Sequence, residues 1–189
     1  MNASPHVLPA VRWRAEADSS DEALLSRCSG ATVDVGCGPG RMTKALMARG
    51  VHALGIDIVA EAVQQARARG CTALHRDVFE ALPGEGRWDT VLLADGNIGI
   101  GGDPHRLLGR VGELLAPCGR LVVDLAAPGG RLAIHRIGLE VNGVVSRRFP
   151  WAVVPADQIA ALAAASCLRV LDVLNSQGRW FAELTKEGT

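Results

Sequence analysis

The chain contains no tyrosine, only two lysines (Lys44 and Lys186), and no excess of either charge. Lack of tyrosine removes one common ligand-binding group. Twenty basic residues, almost all arginine, balance twenty acidic ones. A neutral chain without basic runs lacks the charge that supplies most nucleic-acid affinity, so no nucleic-acid partner is expected. No apolar run reaches the roughly 20 residues of a membrane span, and none is expected. Residues 1–10 carry Pro5, His6 and Pro9 but neither a basic start nor an apolar core, so they do not read as a secretory leader. The five cysteines, Cys28, Cys37, Cys71, Cys118 and Cys167, form no Cys-x-x-Cys pair. An odd, scattered set reads as reduced thiols in the cytoplasm, not as a disulfide framework or a zinc site. No Ser/His/Asp or metal-ligand spacing emerges, so hydrolase and metal-dependent readings have no support and no metal is expected.

What is present suits a single domain over residues 1–189, of which 48% are hydrophobic and 21% charged. Residues 1–20 are polar and irregular. Strand signals at 31–35, 51–58, 72–75, 88–94 and 119–125 alternate with helical spacing at 21–28, 41–49, 59–69 and 105–115. Gly50 and Gly70 follow two of these helices, as helix stops do. This alternation predicts a parallel, doubly wound α/β sheet, because parallel neighbours need crossover connections. Residues 132–150 alternate and contain Val141-Asn142-Gly143-Val144, a strong hairpin signal, so a small hairpin insertion follows strand five. A helix at 156–167 and two strands around Ser176-Gln177-Gly178 close the sheet with an antiparallel pair, giving seven strands.

The informative segment is Asp34-Val35-Gly36-Cys37-Gly38-Pro39-Gly40-Arg41, between a strand and a helix. Such turns sit where open α/β sheets bind ligands. Two ligand classes compete. A dinucleotide fingerprint reads G-x-G-x-x-G, whereas Gly36, Gly38 and Gly40 read G-x-G-x-G, with the third glycine one residue early. Pro39 removes an N–H from any phosphate cradle, and Asp34 favours a ligand with a cationic end. These departures point away from a nicotinamide dinucleotide.

Here the sequence resembles the class I S-adenosylmethionine-dependent methyltransferases. Asp34 to Gly40 looks like their first motif. Leu54-Gly55-Ile56-Asp57-Ile58 is similar to the second-strand motif, whose acid holds the ribose hydroxyls. Arg76-Asp77-Val78 resembles the third, whose carboxylate accepts from the adenine amino group while the next residue's backbone assists. Trp88 through Ala94 to Asp95 resembles the fourth-strand motif beside the methyl-transfer centre. The turn Ala116-Pro117-Cys118-Gly119 resembles that into strand five, with Cys118 where the family usually has glycine. The resemblance covers about residues 21–186 and implies a Rossmann-like fold that binds S-adenosylmethionine. The spacing agrees: Asp57 follows Gly36 by 21 residues, the distance of one helix and one strand.

The cofactor candidates are therefore Asp34, Gly36, Cys37, Gly38, Gly40, Arg41, Asp57, Ile58, Asp77, Val78, Ala94, Asp95, Gly96 and Asn97. Cys37 reads as a small packing residue, without demand for a thiolate. Arg41 either caps the helix, pairs near the ligand carboxylate or is solvated. Asp95 and Asn97 either orient acceptor or cofactor, or simply shape the loop. Methyl transfer from a sulfonium needs alignment and water exclusion more than a universal catalytic group. The catalytic candidates are accordingly His135, Asp95 and His105, with a structural role the alternative for each histidine. Residues 129–154 are expected to form an acceptor lid. Phe149 and Trp151 either wall the acceptor or anchor the hairpin, Arg148 is available to an anionic group, and Trp13 either covers the cofactor or packs on the surface. A small-molecule acceptor is expected; a nicotinamide oxidoreductase and a non-catalytic S-adenosylmethionine-binding protein are the alternatives. No heptads or other interface signature indicate an oligomeric state.

Overall fold

The computed structural model describes residues 13, 15–138, 140, 141 and 144–186. The strands are β1 (Thr32–Val35), β2 (Ala53–Asp57), β3 (Ala73–His75), β4 (Trp88–Leu93), β5 (Leu115–Leu125), β6 (Ala133–Ile137), β7 (Glu140–Val141), β8 (Val144–Val145), β9 (Phe149–Val153), β10 (Leu168–Ser176) and β11 (Arg179–Lys186). Seven of them form one sheet in the order β10-β11-β5-β4-β1-β2-β3. β1 to β5 pair in parallel, whereas β11 runs antiparallel to both β5 and β10. The expected mostly parallel, doubly wound sheet with an antiparallel closing hairpin is present. Its strand order reverses at β1 and β4, which opens a crevice at their carboxyl ends.

The helices are α1 (Ser19–Leu25), α2 (Arg41–Ala48), α3 (Ala60–Ala68), α4 (Pro104–Leu114) and α5 (Ile159–Ala164). Asp18 starts α1 through a capping box with Asp21. Asp103 starts α4, accepting from Arg106 N with Pro104 in the first turn. Side chains alternate along the strands, so each strand serves both faces. Leu92, Val122 and Phe181 pack with Leu24, Leu25, Met42 and Leu46 of α1 and α2. Their neighbours Val91, Leu93, Leu121 and Val123 pack with Leu107, Leu108 and Leu114 of α4 and Ile159 of α5. Each such buried aliphatic side chain contributes about 1.5–3 kcal/mol.

Two elements differ from the sequence reading. Strand five starts at Leu115, four residues before the expected 119, because Leu115 already pairs with Trp88 and residues 116–119 bulge out before pairing resumes at Arg120; Cys118 takes φ 62 there. The helix expected at 156–167 is a short 3-10 turn followed by the six-residue α5. In the insertion, β6 pairs with β9 over Ala133↔Val153 to Ile137↔Phe149, and β7 pairs with β8 inside it. The turn expected at Asn142-Gly143 lies outside the described residues, as does most of the irregular segment 1–20.

Candidate active site

The glycine turn is tied to the neighbouring strand: Gly36 and Cys37 both donate their N–H to the Ile56 carbonyl, at 2.9 and 3.0 Å. Its glycines serve different ends. A Cβ on Gly40, at φ +87, would lie 2.9 Å from both Ala66 Cβ and Cys71 Sγ, so this glycine lets α3 pack closely. A Cβ on Gly38, at φ +54, would meet nothing within 4 Å. Gly38 therefore borders open space, and its N–H donates to Asp57 Oδ2 at 2.8 Å. The second Asp57 oxygen, Oδ1, accepts from Val59 N at 2.8 Å. Burial pushes the Asp57 carboxyl above its usual range, against the backbone bonds from Val59 and Gly38. Next to it, Ile58 leaves 64% of its surface exposed, an apolar face at the mouth of the crevice.

Asp77 lies two residues beyond the end of β3, where its Oδ1 accepts from Phe79 N at 2.9 Å. Val78 beside it is buried, and its carbonyl accepts from Arg110 Nε at 2.8 Å. Cys37 is buried, and desolvation drives its thiol pKa upward, which fits a packing group. Asp34 is 1% exposed beneath the turn, with Thr43 Oγ1 donating to its Oδ2 at 2.6 Å. Burial pushes this carboxyl up to about 6, opposed by the Thr43 bond. Asp34 thus joins β1 to α2 from below. Asn97 also faces the turn: its Nδ2 donates to the Val35 and Gly36 carbonyls at 2.8 and 2.9 Å. Ala94 is buried at the end of β4 and accepts from Asn97 N, while Asp95 and Gly96 follow at φ 52 and 79.

Arg41 is buried, not solvated. It pairs with Asp21 of α1 and, at 2.5 Å, with Asp95 Oδ2. Arg179, which opens β11, pairs with Asp21, with Asp95 Oδ1 at 3.2 Å and with Asp124 Oδ2 at 2.7 Å. Asp95 N donates to the same Asp124 oxygen at 2.9 Å. Three carboxylates and two guanidiniums thus join α1, α2, the loop after β4, β5 and β11. Burial works against the Asp21 carboxylate, but bonds from Arg41, Asp18 N–H and Arg179 outweigh it and hold its pKa down. For Asp124, burial wins over Arg179 and moves the carboxyl up. Asp21, Asp124 and Arg179 were not candidates from the sequence. The signal for Asp124 is a carboxylate inside the apolar run Leu121-Val122-Val123-Asp124-Leu125, which must find partners once buried. Arg179 becomes visible only when β11 is paired with β5.

Beside this cluster is a cavity of about 170 Å³ between the end of β5, the loop after β4 and the β6–β9 hairpin. Its lining includes Gly96, Ile98, Asp124, His135, Ile137 and Trp151. His135 and Trp151 are cross-strand partners, and Phe149 packs edge-on to Trp151 with centroids 6.1 Å apart. The structure does not bring every candidate here. His105 is exposed on the first turn of α4 and is not part of the cavity wall, and Arg148 is exposed outside it. Phe149 anchors Trp151 without lining the cavity, and Trp13 is half-buried away from the lining.

Residues 32–119 match a family described as a methyltransferase domain. A trans-aconitate 2-methyltransferase from Paracidovorax citrulli (strain AAC00-1) is 33% identical over 124 residues, 63% of this chain. The chain spans 45% of that relative's length. In fold, it is similar to an S-adenosylmethionine-dependent methyltransferase from Bacteroides fragilis solved with S-adenosyl-L-homocysteine. The TM-score is 0.78 at 20% identity, covering 95% of this chain and 82% of that one. It is also similar to the 1,6-didemethyltoxoflavin-N1-methyltransferase of Burkholderia thailandensis, with TM-score 0.66 at 20% identity, covering 88% of this chain and 75% of that one.

Proposed function

We propose that this chain, whose residues 32–119 match a methyltransferase domain, is a class I S-adenosylmethionine-dependent methyltransferase that binds S-adenosylmethionine in the crevice and transfers its methyl group to a small molecule. The observation that carries the reading is the pairing of open space at Gly38 with the Asp57 carboxylate across it. A glycine that no packing contact requires leaves room for a ligand against the backbone. A carboxylate accepts up to four hydrogen bonds, so Asp57 retains capacity for two ribose hydroxyls beyond its two backbone donors. The exposed Ile58 face suits an adenine ring, with Asp77 and the backbone of Val78 at its amino edge. Gly36, Cys37, Gly38 and Gly40 shape the cradle for the remainder of the cofactor, and Ala94, Asp95 and Gly96 border the transfer centre. Asp34, Arg41 and Asn97 act one layer out, fixing the turn and the loop after β4.

S-adenosylmethionine supplies a methyl group already activated by its sulfonium charge. The protein's task is to align an acceptor and keep water away. The cavity beside Gly96 does both, with residues 129–154 as its lid and His135 as the group in its wall able to take a proton. His105 has no part in this arrangement. The acceptor named for the curated relative is not carried over, because the cavity wall presents Asp124 and no Arg or Lys among the described residues. Among the described residues no helix is long and apolar enough to cross a membrane. A cytoplasmic location is our reading of the scattered, free cysteines.

Calorimetric titration tests this. Wild type is expected to bind S-adenosylmethionine and S-adenosylhomocysteine saturably, with no response to NAD(H) or NADP(H). Asp57→Ala is expected to weaken binding by at least about tenfold, the loss of two charge-assisted bonds. Binding of a nicotinamide cofactor alone would replace the reading with the oxidoreductase. Cofactor binding without turnover across acceptor classes would leave a non-catalytic binding protein.

A further inference from the structure

We infer that the methyl acceptor is a small, largely apolar amine whose nitrogen lies against Asp124; this rests on the methyltransferase reading above. Asp124 Oδ2 carries three hydrogen bonds, from Asp95 N, Arg179 Nε and Arg179 Nη2 at 2.9, 3.0 and 2.7 Å. Among the described residues Oδ1 takes none, and the side chain keeps 11% of its surface accessible where it lines the cavity. One carboxylate oxygen is therefore fixed by the charge cluster while the other is offered to the cavity. Apart from Asp124, His135 and Gly96, the wall is apolar: Ile98, Leu125, Ile137, Trp151 and Val154 among others. At about 170 Å³ it is smaller than the roughly 300–1,000 Å³ pockets that enclose drug-sized ligands, so the enclosed part of the acceptor is small.

Charge development separates the acceptor classes. In transfer to an amine, the nitrogen lone pair forms the N–C bond while the C–S bond breaks and its electron pair returns to sulfur. An acceptor that binds as an ammonium ion first gives one proton to His135, which frees its lone pair; on transfer the sulfonium becomes a neutral thioether and the neutral amine a methylammonium ion, whose remaining proton leaves with the product. Positive charge thus moves toward the nitrogen, and a buried carboxylate beside that atom stabilises the transition state more than the ground state. An alcohol acceptor must instead approach an alkoxide, and a carboxylate acceptor is already an anion. Either would place negative charge against Asp124, and among the described residues no Arg or Lys lines the cavity to offset it. The cluster of Asp21, Asp95 and Asp124 against Arg41 and Arg179 has one more carboxylate than guanidinium, which strengthens the same bias.

Three probes that share one apolar body test this: 2-phenylethylamine, 2-phenylethanol and 3-phenylpropanoate. Each is titrated calorimetrically into the full chain saturated with S-adenosylhomocysteine, then offered with S-adenosylmethionine while the methylated product is followed by mass. The amine is expected to bind at least about tenfold more tightly than the other two and to gain one methyl group on nitrogen. Asp124→Asn is expected to erase that preference while S-adenosylhomocysteine still binds. Binding of the alcohol or the carboxylate as tightly as the amine, binding of none of the three, or a preference that survives Asp124→Asn overturns the inference. The wild-type preference stands as a test even if the variant does not fold. Failure of S-adenosylhomocysteine itself to bind overturns the underlying reading, a distinct outcome seen before any probe is added.

Discussion

The glycine turn and the charge cluster lie side by side at the carboxyl ends of the strands, yet they are built in opposite ways. The turn is local. Gly36 to Gly40 are adjacent in the chain, and their bonds to Ile56 and Asp57 come from main-chain atoms. The cluster draws Asp21, Arg41, Asp95, Asp124 and Arg179 from five separate elements or loops, and ion pairs between side chains tie them together. A local site is specified by backbone conformation, and its failures are steric. A dispersed site is specified by charge balance, and its failures are electrostatic. The two regions should therefore respond to different substitutions.

The largest effect is expected in the cluster. Arg179→Met takes from Asp124 its guanidinium partner and from Asp21 one of two, in a buried setting. Breaking a buried pair from one side costs about 3–5 kcal/mol, read as a lower urea midpoint at unchanged slope. If the loss is below about 1 kcal/mol, the cluster is as weak as a surface network and the contrast with the turn disappears.

That dispersal is also why the sequence disclosed the two regions unequally. The parallel sheet with its antiparallel closing pair and the glycine turn were legible, because hydrophobic period and motif spacing act over a few residues, and Asp57 and Asp77 were singled out by the same spacing. The insertion was legible as a hairpin from its alternation, while the facing of His135 and Trp151 across β6 and β9 is seen only in the fold. Arg41 stayed ambiguous, because nothing near it in the chain reveals Asp21 or Asp95 as partners. Arg179 was invisible, its role set by the antiparallel pairing of Phe181 with Asp124. Asn97 was read as a ligand contact or loop residue; only the fold shows its amide holding the carbonyls of Val35 and Gly36.

Asp34 sits beneath the turn but obeys the electrostatic rule, so it sharpens the comparison. Its folded pKa, pushed up to about 6 from 3.8, means the folded chain binds the extra proton between those values. The stability from its protonation is then present below about pH 4 and is lost as pH rises through about 6. Asp34→Asn keeps an acceptor for Thr43 without the charge. It is expected to gain up to about 3 kcal/mol at pH 8 and almost nothing at pH 4, measured by urea unfolding across that range. An equal gain at both pH values would show that the charge is not the cause.

Within the turn, Gly40→Ala and Gly38→Ala separate packing from ligand access. Both take on a left-handed strain of about 1–2 kcal/mol. Gly40→Ala adds the collision with Ala66 and Cys71, so it should destabilise by about 1–3 kcal/mol more. Gly38→Ala has no collision within the protein and should unfold closer to wild type, yet lose S-adenosylhomocysteine binding because its methyl group enters the open space. Equal stability losses, or cofactor binding retained in Gly38→Ala, would break the division between the two glycines.

The smallest effect tests whether strain by itself marks a site. Asp95 and Cys118 share the left-handed region, at φ 52 and 62. Asp95 is held there by ion pairs with Arg41 and Arg179, and its N–H reaches Asp124. Cys118 is exposed in the turn within β5, and among the described residues no such network holds it. Cys118→Gly should relieve the strain and raise stability by roughly 1 kcal/mol without changing cofactor affinity. Asp95→Gly relieves the same strain but removes two ion pairs, so it should lower stability and disturb the loop beside Gly96. Opposite signs from two substitutions of matching backbone geometry would place the value of the strain at Asp95 in the partners that hold it. Thermal unfolding of the two variants, with S-adenosylhomocysteine titrations alongside, reads both signs; a gain in both would show that the cluster does not depend on Asp95.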